Sequence, residues 1–422
     1  MTLPEIVAPV AIAAQAVAPP AEASRFARFT HHQWYFHQAR QTVYFSAFFG
    51  VTPDRESLIE LAWDVAGFIP ELGALYEALS GRPLDGEALG RIVSLEHTDD
   101  LEAFPDAWDM SGQDIFARHD LPMLRIRAAI RRGGPDAAGR RAALSVVSTH
   151  ALFEGADSAL LTRSQPTGHE ALAAPTQRYS VLRRIGHEAA AAVLGPLQLV
   201  AALAFAPRKV DKVCRSLVFD RQKLRRVSAR LGLRQRSLMF ALACFALNDG
   251  GSGYSRRRIT ATYTTLDMPG RAGGEGAYFR HWVTEASFRV SKNFLTFAQN
   301  IEKEIDRLER SDKRATQGLL HAVFGAHRFM RRWLPFVYSD RIFRFAGFYQ
   351  LNLSVTPPHR LQGPLTRDMV EPVHAGSFHP GLDMCIFVPG RKKITFNFAL
   401  SAKRIGRVDA IPALLEALDG AS

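Results

Sequence analysis

Cysteine is scarce. Cys214, Cys244 and Cys385 are spread over 422 residues, too few for a disulfide framework, and no C-x-x-C or His/Cys cluster accompanies them. That excludes a disulfide-stapled secreted scaffold, a redox dithiol and a structural zinc, and makes a reducing, cytoplasmic compartment the expectation. No nucleic-acid-binding motif is present, so no nucleic acid is expected as a partner. Residues 1–23 lack the basic n-region of a secretory signal and carry two acids. Pro4, Pro9, Pro19 and Pro20 disfavour a helix there, and the stretch reads as a disordered leader. Long apolar runs are missing except at residues 189–207, which hold no charge. That run is rich in alanine and interrupted by Gly195, Pro196 and Gln198, so a buried or interfacial helix pair is expected in preference to a membrane span.

What remains is an ordinary globular composition, 47% hydrophobic and 22% charged, in a chain long enough for two domains with sizeable cores. The formal charge is +12. Nearly all of the excess falls in residues 208–258, with fourteen Lys and Arg against three Asp, a net of +11. Such a concentration suggests a basic face for an anionic partner: a phosphate-bearing donor, an acidic carrier protein or an anionic membrane. β-Branched and aromatic runs at 42–51, 258–266, 351–355, 384–388 and 394–399 read as strands, and 122–130 with 142–148 as a hairpin. Helical periodicity marks 55–66 (stopped by Pro70), 187–206, 221–231, 237–247, 294–310 and 408–418. The pattern is α/β (α+β), with two halves at 24–185 and 210–422 joined by a crossover linker at 186–209.

One stretch carries chemistry. Residues 145–161 read SVVSTHALFEGADSALL: a strand ends at His150, Glu154 and Gly155 follow, and a helix begins. This resembles the HxxxDG signature of the chloramphenicol-acetyltransferase-like superfamily. That group includes nonribosomal-peptide condensation domains, plant HxxxD acyltransferases, polyketide-associated acyltransferases and wax ester synthase/diacylglycerol acyltransferases. The flanks agree in order: an opening strand and helix followed by IPEL at 69–72, LPMLRIRAAI before the motif, RQRSLMFALACFAL at 234–247, YQLNLSV at 349–355, and a closing strand and helix at 396–418. The resemblance implies two subdomains packed as a V around a central tunnel with His150 at its midpoint.

It also implies acyl transfer from a thioester, on CoA or an acyl carrier protein, to an alcohol or amine, with no tightly bound cofactor and no metal. The chemistry suits a histidine. The acceptor's proton must leave as the new bond forms, and an imidazole titrating near working pH takes it and returns it to the departing thiol. Glu154 is implied to brace the loop through an ion pair, and Gly155 lets the backbone turn tightly beside the base. Thr149 stands where longer signatures have a first histidine, Glu154 replaces Asp, and GEGAYFRHW at 274–282 lacks the Gly-Asn of some lipid-acylating members. The acceptor subclass is therefore left open, as is a non-catalytic condensation-like module that binds a carrier protein or acyl ligand.

Other features are weighed beside the motif. His31, His32 and His37 lack a further ligand at metal spacing and read as a surface loop, with a channel-lining role implied only by the resemblance. Residues 328–348 mix Arg with Phe, Trp and Tyr and read as core packing with a basic outer face, or as peripheral contact with an anionic membrane at the inner surface. Asn352 and Ser354, on a strand that the resemblance turns toward the interdomain region, are candidates for oxyanion or substrate contact. Asp157 reads as a helix cap. Arg256, Arg257 and Arg258, after the flexible NDGGSG break, are candidates for contact with donor phosphates or a carrier protein.

Overall fold

The structure is a computed structural model that describes residues 29–68, 70–102, 110–118, 120–152, 181–248, 257–266, 281–311, 313–345, 347, 349–356 and 369–420. The N-terminal leader, Glu154, Gly155, Asp157 and Arg256 lie outside the described residues.

The fold is mixed α/β with two sheets. The first is built on β1 (Thr42–Phe49), whose eight residues are all buried. Its sequence, TVYFSAFF, is apolar on both pleat faces, as a strand covered on both sides requires. β1 lies between β4 (Ala142–Thr149) and β9 (Met369–Phe378), and the order is completed by β3 (Leu124–Arg131) and β2 (Val93–Thr98), giving β2-β3-β4-β1-β9. The hairpin expected from sequence is β3–β4, antiparallel from Leu124↔Ser148 to Ile130↔Ala142. The second sheet orders β5 (Lys212–Asp220), β11 (Lys393–Ser401), β10 (Asp383–Pro389), β8 (Leu351–Val355), β6 (Arg258–Leu266) and β7 (His281–Arg289). β9 comes from the C-terminal stretch yet completes the first sheet, so one strand stitches the two halves together. Its Gly376 tolerates no side chain, because a Cβ there would sit 2.2 Å from the Tyr44 ring.

The helices explain themselves locally. α1 (His31–Gln38) opens on a capping box in which Thr30 Oγ1 accepts from the Gln33 N–H and Gln33 Oε1 accepts from the Thr30 N–H. α2 (Arg55–Phe68) ends before Pro70, as expected. The same proline then opens α3 (Pro70–Ser80). α4 (Gly86–Ile92) follows. α5 (Val181–Phe205) replaces the expected helix pair at 189–207. It is one helix of 25 residues that runs through Pro196. Gly195 accounts for its seat: a Cβ there would lie 2.9 Å from Ala326 Cβ, so α5 crosses α9 (Lys313–Trp333) at backbone-to-methyl distance. By length and composition α5 is the one helix among the described residues apolar enough to cross a membrane. Leu182, Val193, Leu197, Val200 and Phe205 are left exposed on it.

In the second half, α6 (Arg221–Arg230), α7 (Gln235–Leu247), α8 (Phe294–Glu309) and α12 (Ala410–Gly420) cover one sheet face, while α10 (Asp340–Phe343) and α11 (Ala402–Ile405) are single turns. α7 is buried almost all round, which matches its continuous apolar run.

The basic run at 208–258 is not the free basic face expected from its charge. Six of its cations meet acids supplied from elsewhere in the chain. Lys212 pairs with Asp383 at 3.2 Å, Arg215 with Asp409, Lys223 with Glu416, and Arg226 with Asp419. Arg234 is held by Glu302, Asp306 and Glu309 together, and Arg236 by Glu309. Local net charge overstates the field because the neutralising carboxylates sit on α8, at the start of β10, on α12 and in the stretch between β11 and α12.

Candidate active site

β4 ends at Thr149, and the chain leaves the sheet with the His150 N–H donating to the Gln41 carbonyl at 2.8 Å. The Thr149 hydroxyl accepts from the Ala151 N–H at 3.2 Å and so tightens the turn after the base. The His150 ring stacks on Phe36 of α1, centroids 4.7 Å apart at 28°. Both side chains line a cavity of about 190 Å³. Its walls come from both sheets: Val43 and Ser377 from the first, Asn352, Ser354, Met384 and Ile386 from the second. Most of the lining is apolar, with a few convergent polar groups, the usual character of a small-molecule site.

Asn352 and Ser354 reach this cavity together with His150. The Asn352 Nδ2 hydrogens are committed to Thr262 Oγ1 and Thr264 Oγ1, each at 2.8 Å. Ser354 is half-buried on the wall. Arg257 and Arg258 are exposed at the start of β6 and do not line the cavity. The Arg258 Nε donates to Ser287 Oγ at 2.8 Å.

The surface-loop reading of His31 and His32 is overturned. The segment is a helix, His32 is buried, and its ring is part of the cavity wall. Its Nδ1 lies 3.0 Å from the Nδ1 of His321 on α9, so one of the two nitrogens donates to the other. The capping-box spacing Thr30-x-x-Gln33 was the signal that would have found this helix. His31 packs on His321, and burial, with His321 and Arg328 nearby, pushes its pKa down to about 4. Among the described residues no group of three or more His, Cys, Asp or Glu is disposed to hold a metal.

The 328–348 segment divides. Tyr338, Ile342 and Phe343 are buried, with the Tyr338 hydroxyl 2.9 Å from the Nδ1 of His327 just before the segment, whereas Phe329, Trp333 and Phe336 are exposed. Two further cavity residues had no sequence signal. Gln41 donates through Nε2 to Ser377 Oγ at 3.1 Å, and His379 follows the end of β9.

No family model matches this chain, and no curated protein matches it by sequence. Solved structures do. The trichothecene 15-O-acetyltransferase from Fusarium sporotrichioides is 12% identical with a TM-score of 0.56, over 93% of this chain and 95% of that one. The wax ester synthase/diacylglycerol acyltransferase from Marinobacter aquaeolei VT8 is 13% identical with a TM-score of 0.52, over 92% and 96%. The first condensation domain of the calcium-dependent antibiotic synthetase is 13% identical with a TM-score of 0.50, over 92% and 93%. The chain has the chloramphenicol-acetyltransferase-like fold. The likeness runs nearly the full length of both partners.

Proposed function

We propose that this protein is an acyltransferase that moves an acyl group from a thioester, on CoA or an acyl carrier protein, to a hydroxyl or amine acceptor, with His150 as general base. One observation carries the reading: His150 leaves the end of β4 into an apolar cavity walled by both sheets. The similar folds described as an acetyltransferase, a wax ester synthase and a condensation domain support it.

The acceptor O–H or N–H loses its proton to the imidazole as its lone pair attacks the thioester carbonyl. The tetrahedral intermediate then collapses, the C–S bond breaks, and His150 returns the proton to the thiolate. Stacking on Phe36 holds the imidazole plane fixed, which limits the orientational freedom to be lost at the transition state. Glu154 and Gly155 are the proposed support of the loop that carries the base. Arg256, Arg257 and Arg258 are the proposed contacts for the donor's phosphates or a carrier protein.

The working location is the cytoplasm, with peripheral contact at a membrane. The exposed apolar side of α5, beside Phe329 and Trp333 of α9 and flanked by exposed Arg183 and Arg184, suits an anionic interface.

The test is release of free thiol from a panel of acyl-CoA donors of increasing chain length, with and without alcohol and amine acceptors. Thiol release that depends on the acceptor and matches ester or amide formed is the expected result. Tight binding of acyl-CoA with no thiol release for any acceptor would instead assign a non-catalytic acyl-binding module.

A further inference from the structure

The reaction as described makes no use of His379, a buried histidine of the cavity. His379 immediately follows β9, is 5% exposed, and lines the same cavity as His150. The register puts the two histidines on either side of one strand. Thr42, the first residue of β1, pairs with Thr149 of β4 on one side and with Phe378 of β9 on the other. His150 and His379 are the next residues along those two chains. Both strands run antiparallel to β1, so both chains leave the sheet at the same end, two strand spacings or about 10 Å apart.

The backbone fixes which nitrogen of His379 carries hydrogen. The Gly381 N–H donates to Nδ1 at 3.0 Å, across a turn that the Leu382 N–H closes on the His379 carbonyl. Nδ1 is therefore an acceptor, and the neutral ring holds its hydrogen on Nε2. The turn has little freedom to rearrange, because a Cβ on Gly381 would fall 1.4 Å from the Arg344 carbonyl oxygen. Burial, reinforced by Lys212 and His150, lowers the His379 pKa to about 3, so the ring stays neutral at working pH. It is a poor base and a permanent donor.

Nε2 has no hydrogen-bond partner among the described residues. Its polar neighbours are mostly committed elsewhere. Gln41 donates to Ser377, the Ser377 hydroxyl donates to the Thr42 carbonyl at 2.8 Å, the Asn352 amide faces two threonines, and the Tyr35 hydroxyl donates to the Phe345 carbonyl.

We propose that His379 is a second catalytic residue, whose Nε2–H donates a hydrogen bond to the thioester carbonyl oxygen and holds the oxyanion that forms there. This rests on the acyl-transfer reading above. As the acceptor attacks, the carbonyl π electrons move onto oxygen, opposite the fixed donor. His150 takes the acceptor proton, the oxyanion re-forms C=O, the C–S bond breaks, and the proton passes from His150 to sulfur. His379 transfers no proton at any stage. The arrangement is preorganised because the backbone, not the substrate, orients the ring.

Two substitutions separate this role from a structural one. His379→Asn keeps an oxygen near the Nδ1 position to accept from Gly381 and draws the remaining amide N–H groups back from the Nε2 position. His379→Gln places an amide N–H near the Nε2 position. The expected result is a fall in kcat of ~10²–10³-fold for His379→Asn with little change in donor KM, and recovery of at least about tenfold of that loss in His379→Gln. Parent-like kcat in His379→Asn, or equal loss in both variants with thermal melts showing both folded, would overturn the proposal.

A measurement that leaves His379 in place covers the case in which neither variant folds. In His150→Ala loaded with acyl-CoA, the bound thioester C=O stretch should fall below its value in water, and an unshifted or raised frequency would equally overturn it. A parent enzyme that releases no thiol fails the acyl-transfer reading itself. An active parent matched by His379→Asn fails this inference alone.

Discussion

Replacing His150 with alanine should lower acyl transfer by ~10²–10⁴-fold while leaving the fold intact. The loss is confined to chemistry because of where the residue sits. His150 is half-buried, its backbone rather than its ring makes the bond to Gln41, and the cavity behind it is walled by other side chains. The stack on Phe36 that is lost is worth about 0.5–1.5 kcal/mol, which is small against an ordinary domain's stability. Donor KM should change little, since the base acts on the acceptor proton only as the bond forms. Parent-like turnover in His150→Ala, measured by thiol release, would put the base elsewhere.

Acid should weaken the protein steeply, starting near pH 6.5. His327, His374 and His379 are buried, and burial pushes their pKa values down to about 4, 4 and 3. The sign follows from proton counting. In the unfolded chain these rings titrate near 6.5. Below that pH the unfolded state binds protons that the native state refuses, and stability falls as pH drops toward 4. Each such histidine removes about 1.4 kcal/mol per pH unit in this window. Three together would remove up to about 6 kcal/mol between pH 6.5 and 5, comparable with the whole stability of many domains.

Carboxylates act in a different window. Hydrogen bonds from Ser57 hold Asp54 below the usual carboxylate range, and Arg307 does the same for Glu304. Their contributions are lost only as pH falls through and below that range. Urea midpoints at pH 7, 6 and 5 separate the two. A midpoint that holds steady from pH 7 to 5 would mean that these histidines are not kept neutral by burial.

How much of this was legible in the sequence depended on whether a feature's cause is local. β1, the β3–β4 hairpin and α7 are dictated by runs of side chains that can fold only one way in an apolar interior. His150 at a strand end could be read from SVVSTH alone. β9 could not. Its sequence, MVEPVHAGSF, carries a proline and a glycine and looks like loop. It becomes a strand because β1 presents an unpaired edge and because Tyr44 covers Gly376. α1 was obscured by its histidines and aromatics, which are poor helix formers; here the capping box and packing on α9 override propensity. The basic run misled for a related reason. The partners of Arg234 lie about seventy residues away on α8, and nothing near position 234 announces them. His379 was invisible because its importance comes from register, through a pairing with a strand more than three hundred residues upstream.

The central claim is that acyl transfer happens at His150, in the cavity between the two sheets. The most direct test is a crystal structure with a non-cleavable thioether analogue of the best acyl-CoA donor and the acceptor bound together. The account predicts the acceptor's nucleophilic atom within hydrogen-bond reach of the His150 ring and about 3–3.5 Å from the carbon that stands for the reacting carbonyl. An analogue bound at full occupancy outside this cavity, with His150 touching neither ligand, would contradict it.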